Sequence, residues 1–366
     1  MDVSANQPGD LAAPGEPGAR WLGVAASAGL TRDDLLGLYR VMALGRALDE
    51  RMWILNRSGR VAFVISGQGH EGAQAGITWA LRPGEDWLAP YYRSITAVLR
   101  MGLTPREILL GSYARADDPS SGGRQMPNHY GHIGRKILSV SSPVASQVLH
   151  AVGIALAAKL RGTGEVVVTS TGEGSSNQGD VHEALNFAAI HRLPFVYVVE
   201  NNGYAISVPS ARELPVDDVA ARAAAFGIPG VIVRGTDVVG CYVAAREAVR
   251  RARAGEGPTL IEAKVERLTA HSSDDQQTRY RSEEEIAAHR ALDPLPAFRG
   301  QLRAAGVLTA EAEAAMAAEI GEAVEDATRF AEAAADPTLE SASSWVFAED
   351  WPGERPPAWG DGTGRD

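Results

Sequence analysis

"GEGSSNQGDVHEALNFAAIHRLPFVYVVENN", Gly172 to Asn202, places a carboxylate, Glu173, between two glycines and closes an apolar run on two asparagines. "FVYVVE" is short, apolar and β-branched, as is "EVVVTS" just upstream, and such runs read as buried parallel strands. A helix is expected between them, from about Asp180. Outward from this unit the alternation continues: a helix near Val219, "GVIVRG", a helix from about Val239, then "TLIEAKV". Upstream, Thr31 caps a long helix with an apolar stripe that stops at Gly59. "TPREILLGSYA" carries a capping box, Thr104 with Glu107, around Pro105. "ASQVLHAVGIALAAKLRG" is an Ala-rich helix expected to be deeply buried. Downstream, Ser282 with Glu285 forms another capping box, and 309–335 reads as Ala/Glu-rich helix.

Strand–helix alternation predicts an α/β protein: a doubly wound, mostly parallel sheet with flanking helices and a helical C-terminal region. The expected organisation is a disordered arm over 1–30, the α/β domain over 31–300, a helical extension over 301–340 and a loose Pro/Gly-rich tail over 341–366. In such sheets ligands sit beyond the carboxyl ends of the strands. "TGEGSS" and "ENNGYAIS" both follow strands, so both belong on that rim.

The 366 residues are 45% apolar, enough for a large core. One cysteine, Cys241, allows no internal disulfide and points to a reducing, cytoplasmic compartment. A net charge of -11 without any basic block argues against nucleic acid as a ligand. No apolar run approaches the ~20 residues of a membrane span. The first residues lack the basic and apolar regions of a signal peptide.

Glu173 has three readings. A dinucleotide turn needs G-x-G-x-x-G, but the third glycine position here is Asn177, and a carboxylate would repel a bare pyrophosphate. Glu200 would then imitate the ribose-binding acid. In the second reading a magnesium ion outweighs the charge. Glu173 supplies an anionic oxygen, Asn202 a neutral one and the main chain at Tyr204 a carbonyl, and a diphosphate completes the shell. Amide groups at the start of the helix after Gly174 assist it, and the glycines permit close approach. In the third reading Asn201-Asn202-Gly203 is only a turn and Glu173 a solvated loop residue.

"GEGSSNQGD" followed by "VVENN" resembles the thiamine diphosphate motif. "APYYRS", "GRQMPNHYG", "SSPVASQ", "ENNGYAISVP", "HSSDDQQTRYRS" and "DPLPAFRG" resemble, in order over about 35–300, the alpha subunit of branched-chain 2-oxoacid dehydrogenases. Glu173 stands where the wider family more often has Asp. The resemblance implies decarboxylation of a 2-oxoacid and passage of the acyl group to a lipoyl group on a separate acyltransferase core. It also implies a beta subunit, two alpha and two beta chains, that supplies the glutamate activating the cofactor. This chain holds only the diphosphate half.

The resemblance carries roles onto individual residues. Tyr92 and Arg93 match a Tyr-Arg pair at the diphosphate, for which the planar guanidinium fork is suited. Gly172, Glu173, Gly174, Ser175, Asn202, Tyr204 and Ile206 complete the cofactor set, with Glu173, Asn202 and Tyr204 as metal ligands. Ser142 matches the serine near the aminopyrimidine, and Phe63, Tyr92, Met126, His129 and Ser142 line the substrate pocket. "SPVASQ" resembles a monovalent cation site, K+, through Ser142, Pro143 and Gln147. His129 and His271 are the catalytic candidates, to stabilise carboxylate charge or handle protons near neutral pH. The other histidines, His70, His182 and His191 among them, read as structural. The His271 loop, 269–281, has little apolar content and is expected to be mobile until cofactor binds, with Arg279 or Arg281 then meeting Asp274 or Asp275. Alternatives are a pyruvate or acetoin dehydrogenase alpha chain, and a decayed, non-catalytic scaffold.

Overall fold

All four apolar runs named above become strands of one parallel sheet in the computed structural model, which describes residues 18–344. The strands are β1 (Trp87–Ala89), β2 (Val167–Gly172), β3 (Phe195–Asn201), β6 (Gly230–Arg234) and β7 (Thr259–Lys264), in the order β1-β2-β3-β7-β6. A small antiparallel pair, β4 (Tyr204–Ala205) and β5 (Val208–Pro209), follows β3. Side chains alternate along each strand, so Val166, Val168, Val196, Val198 and Ile261 enter one core while Val167, Phe195, Tyr197, Val199 and Leu260 enter another. All seven residues of β3 are buried, as expected of a central strand covered on both faces. β6, one of the two edge strands, departs from the expected burial, with only Val233 buried.

Helices α2 (Arg32–Arg57), α3 (Glu71–Trp79), α4 (Ile95–Arg100), α5 (Pro105–Ser112) and α8 (Val238–Arg253) serve the first face; α6 (Ser146–Arg161) and α7 (Gly179–Ile190) serve the second. Thr31 and Thr104 form complete capping boxes with Asp34 and Glu107. Ser282 caps α9 (Glu283–Ala291) by accepting the Glu285 N–H at 3.2 Å, one half of the expected box. The helix near Val219 is 3-10, Val219–Phe226.

Three expectations are corrected. The arm placed over 1–30 contains α1 (Gly18–Ser27); its Trp21 ring meets Phe298 edge-on at 5.8 Å, and Ala25 is buried. Residues 1–17 and 345–366, which hold most of the expected arm and tail, lie outside the described residues. The boundary at 300 falls inside α10 (Pro294–Ala304), and α11 (Ala310–Ala333) sends Ile320, Val324, Ala327 and Ala331 into the first core. Finally, α6 buries one face only. Leu149 and Leu160 are exposed on its other side, Leu160 at 78%. No helix of the described residues is long and apolar enough to cross a membrane.

Candidate active site

Register brings the two ends of the motif together. Gly172 on β2 pairs with Glu200 on β3, so the residues just beyond them share one rim. Glu173 is 1% exposed there and its Oε2 accepts the Asn202 N–H at 3.0 Å. Its Oε1 is buried without a hydrogen-bond partner among the described residues. Burial raises the Glu173 carboxyl above its ordinary range. A buried carboxylate with one oxygen unmatched is the donor a hard cation takes, and no group of three His, Cys, Asp or Glu gathers among the described residues to offer another site. The residues present fit a magnesium ion, whose remaining shell would have to come from amide, carbonyl and phosphate oxygens. Gly174 is required by packing, since a Cβ there would fall 2.5 Å from the Ala205 Cβ. At Gly172 a Cβ would enter open space on the rim. Asn202 Oδ1 accepts the Tyr204 N–H at 3.2 Å, and Ser175 lies in the 3-10 turn Gly174–Asn177. Ile206 has φ +57, a left-handed conformation that a β-branched residue adopts only under strain. The strained peptide is held from behind, because the Ile206 carbonyl accepts from Arg267 at 2.8 Å.

Cations crowd the same rim. Arg93 is 1% exposed; Nη1 donates to the Ser66 carbonyl at 2.6 Å and Nη2 to both the carbonyl and Nδ1 of His271 at 3.0 Å. A guanidinium can only donate, so His271 Nδ1 accepts and the ring proton sits on Nε2. Burial, then Arg93 and Arg267, push the His271 pKa down to about 4. The ring is therefore a neutral hydrogen-bond donor rather than a near-neutral acid. Arg267 and Arg281 each stand 5.3 Å from the Tyr204 ring centroid. The three guanidinium groups, with Glu173 beside them, suit a bound polyanion and its metal.

A second group surrounds a cleft lined by Tyr91, Tyr92, His129, Ser142, Gln147 and Ser175. His129 Nδ1 faces the Pro127 carbonyl at 3.2 Å and must donate to it. In the neutral ring Nε2 then accepts from the Ser142 hydroxyl at 3.0 Å. Tyr92 joins this cleft to His271, their rings meeting edge-on at 6.1 Å. Gln147 donates to the Ser170 carbonyl at 3.1 Å. Phe63 is half-buried on the segment whose neighbour Val64 pairs with Ser273 of the His271 loop. Met126 is 48% exposed, two residues before Asn128, which is held in a left-handed turn with φ +67.

The His271 loop is laced down by polar bonds. Asp275 accepts the His271 N–H at 2.7 Å and the Tyr280 hydroxyl, and Ser273 N–H donates to the Val64 carbonyl at 2.8 Å. The expectation of mobility counted apolar burial alone. Without cofactor, Arg281 pairs with Glu285 at 3.1 Å and Arg279 bonds Gln276, while Asp275 is taken by the loop itself. Glu200 does not reach the rim as a ribose acceptor would. It is 2% exposed and accepts from His70 at 2.8 Å and Gln74 at 2.9 Å. Arg267 and Glu213 escaped the sequence reading. Glu213, pushed up to about 7 by burial and by Glu173, approaches Gly174 from the loop after β5. Neither has a local pattern; only the fold brings them to the rim.

The family model described as "Dehydrogenase E1 component" matches residues 39–340. The chain is 47% identical over 321 residues to the 2-oxoisovalerate dehydrogenase subunit alpha of Bacillus subtilis, covering 88% of this chain and 97% of that one. It is 37% identical to the 3-methyl-2-oxobutanoate dehydrogenase subunit alpha of Mycobacterium tuberculosis, covering 88% and 85%. It is 38% identical to the pyruvate dehydrogenase E1 component subunit alpha of Staphylococcus aureus, covering 78% and 74%.

Proposed function

The chain belongs to the dehydrogenase E1 component family, and we propose that it decarboxylates branched-chain 2-oxoacids such as 2-oxoisovalerate as the alpha subunit of a thiamine diphosphate-dependent 2-oxoacid dehydrogenase. The acyl group passes to the lipoyl group of an acyltransferase partner. The observation that carries the reading is Glu173, a buried carboxylate with one oxygen on the Asn202 N–H and the other unmatched at the carboxyl ends of β2 and β3. The 47% identity to the Bacillus 2-oxoisovalerate enzyme, against 38% to the pyruvate enzyme, favours the branched-chain substrate, although the Mycobacterium branched-chain relative, at 37%, does not separate the two.

Glu173 Oε1, Asn202 and the main chain at Tyr204 would hold magnesium, and Gly172, Gly174, Ser175 and Ile206 would frame the cofactor. When bound, thiamine diphosphate supplies the electron sink for loss of carbon dioxide. Arg93 offers its remaining N–H groups to the diphosphate. His271 holds a proton on Nε2, where it can donate to developing negative charge without itself becoming cationic. His129, its Nε2 turned to Ser142, orients that hydroxyl at the neighbouring cleft beside Tyr92, and Phe63 and Met126, which do not line that cleft, would bound the substrate from outside it. Ser142, Pro143 and Gln147 would hold K+.

Two alpha and two beta chains form the proposed working unit. Leu149, Leu160, Phe187 and Ile190, on α6 and α7, are 37–78% exposed, and Gly153 between them presents open backbone. Apolar side chains grouped on one face of two neighbouring helices support burial by another subunit.

The test is decarboxylation of a series of 2-oxoacids by this chain mixed with its beta partner. Branched acids should have the highest kcat/KM. Preference for pyruvate would reassign the substrate, and robust turnover by the alpha chain alone would overturn the division of labour.

A further inference from the structure

Below the rim lies a carboxylate that none of the proposed chemistry uses. Asp49, on α2, is 1% exposed, and both its oxygens are engaged by one loop. Oδ1 accepts from the Ser66 hydroxyl at 2.8 Å and Gln68 Nε2 at 2.9 Å; Oδ2 accepts the Gly67 N–H at 2.7 Å. Three donors converging on one buried acid lock the 66–68 loop, since loss of that acceptor leaves all three unsatisfied together.

The loop in turn holds Arg93 at both ends. The Ser66 carbonyl takes the guanidinium at 2.6 Å. At the other end Gly67 lies so close to the Arg93 carbonyl that a Cβ would fall 2.6 Å from its oxygen. Gln74 fixes that same carbonyl at 2.9 Å. From Arg93 the path continues to His271 through two bonds of 3.0 Å.

We propose that Asp49 is a positioning residue: through the Ser66–Gln68 loop it fixes Arg93 against the diphosphate and His271 against Arg93. The inference rests on the reading of Arg93 as a diphosphate ligand. Asp49 itself touches neither substrate nor cofactor. Its effect comes from geometry, because a displacement of about 1 Å at a positioned group costs up to about a hundredfold.

A double-mutant cycle on the assembled alpha–beta enzyme tests it. Thiamine diphosphate affinity is measured by calorimetry at saturating magnesium for wild type, Asp49→Asn, Arg93→Lys and the double variant, with thermal unfolding of each alongside. Asp49→Asn keeps the size of the side chain but cannot accept all three bonds. It should raise the Kd about tenfold in the wild-type background and have almost no further effect once Arg93 is lysine. A residue that only supported the fold would add its cost in both backgrounds. Unchanged affinity in Asp49→Asn, or additive effects, would overturn the positioning role while leaving Arg93 as a ligand. Unchanged affinity in Arg93→Lys would instead remove the reading beneath it and the inference with it. If Asp49→Asn does not assemble, Ser66→Ala, which deletes the hydroxyl on Oδ1 together with its bond from the Gln68 N–H at 3.1 Å, is read in the same cycle with the same two outcomes.

Discussion

Glu173→Gln separates holding the metal from holding the fold. The amide matches the carboxylate in size and can keep the acceptor for the Asn202 N–H, now 3.0 Å from Oε2. Its NH2 replaces Oε1, which is buried and has no partner among the described residues. One unsatisfied buried group is exchanged for another, each costing about 1–3 kcal/mol, so the two nearly cancel. Removing a buried charge offsets part of any remainder. The melting temperature of the chain without cofactor should therefore move by no more than about 2–4 °C. Cofactor binding should respond very differently. A cation left facing an amide N–H instead of an anionic oxygen loses about 3–4 kcal/mol, roughly two to three orders of magnitude in affinity. Calorimetric titration of thiamine diphosphate in the presence of magnesium reads this directly, with thermal unfolding as the control. Affinity within threefold of wild type would refute the reasoning. So would a collapse of the melting temperature, because Glu173 would then be part of the scaffold.

Three further outcomes follow from the same geometry. Ile206→Gly releases the φ +57 strain and should raise the melting temperature of the chain without cofactor, by about 1 kcal/mol of stability, yet lower kcat; a fall in both would show that the side chain, not the peptide, is what matters. His271 is neutral in the fold at a pKa of about 4 against an ordinary 6.5, so the unfolded chain binds more protons between those values. Stability from this group is present above about pH 6.5 and is lost as pH falls toward 4. His271→Gln should flatten that limb of the melting curve by up to about 3 kcal/mol, and an unchanged pH profile would contradict the neutral ring. Leu160→Glu with Ile190→Glu places charge on the exposed apolar face of α6 and α7 and should leave the isolated chain folded while weakening its assembly with the beta subunit. Sedimentation of the mixture measures this; an intact heterotetramer would put the contact elsewhere.

The sheet was legible because β2, β3 and β7 are apolar runs buried on both faces, bounded by glycine, proline or polar turns. β1 has three residues and no such run, so its place beside β2 comes from pairing rather than pattern. The exposed side of α6 was not legible either. Alanine, glycine and leucine spell burial in a sequence without saying whether the same chain or another one covers them. At the site, the residues of contiguous motifs fall close together: Glu173, Asn202, Arg93 and His271 around one rim, and His129 at the adjoining cleft. Arg267, Glu213 and Asp49 do not stand out in the sequence, since their partners lie far along the chain: Arg267 reaches Ile206, and Asp49 reaches Ser66. The tautomers of His129 and His271 are equally a product of the fold, set by which neighbour can only accept and which can only donate.

Manganese in place of magnesium gives the most direct test. The assembled enzyme, crystallised with thiamine diphosphate and Mn2+, should show an anomalous scattering peak about 2.1–2.3 Å from Glu173 Oε1, with Asn202 and a diphosphate oxygen in the same shell. A peak elsewhere, or diphosphate bound at this rim without metal beside Glu173, would contradict the central claim that this carboxylate and Asn202 hold the cofactor through a divalent ion.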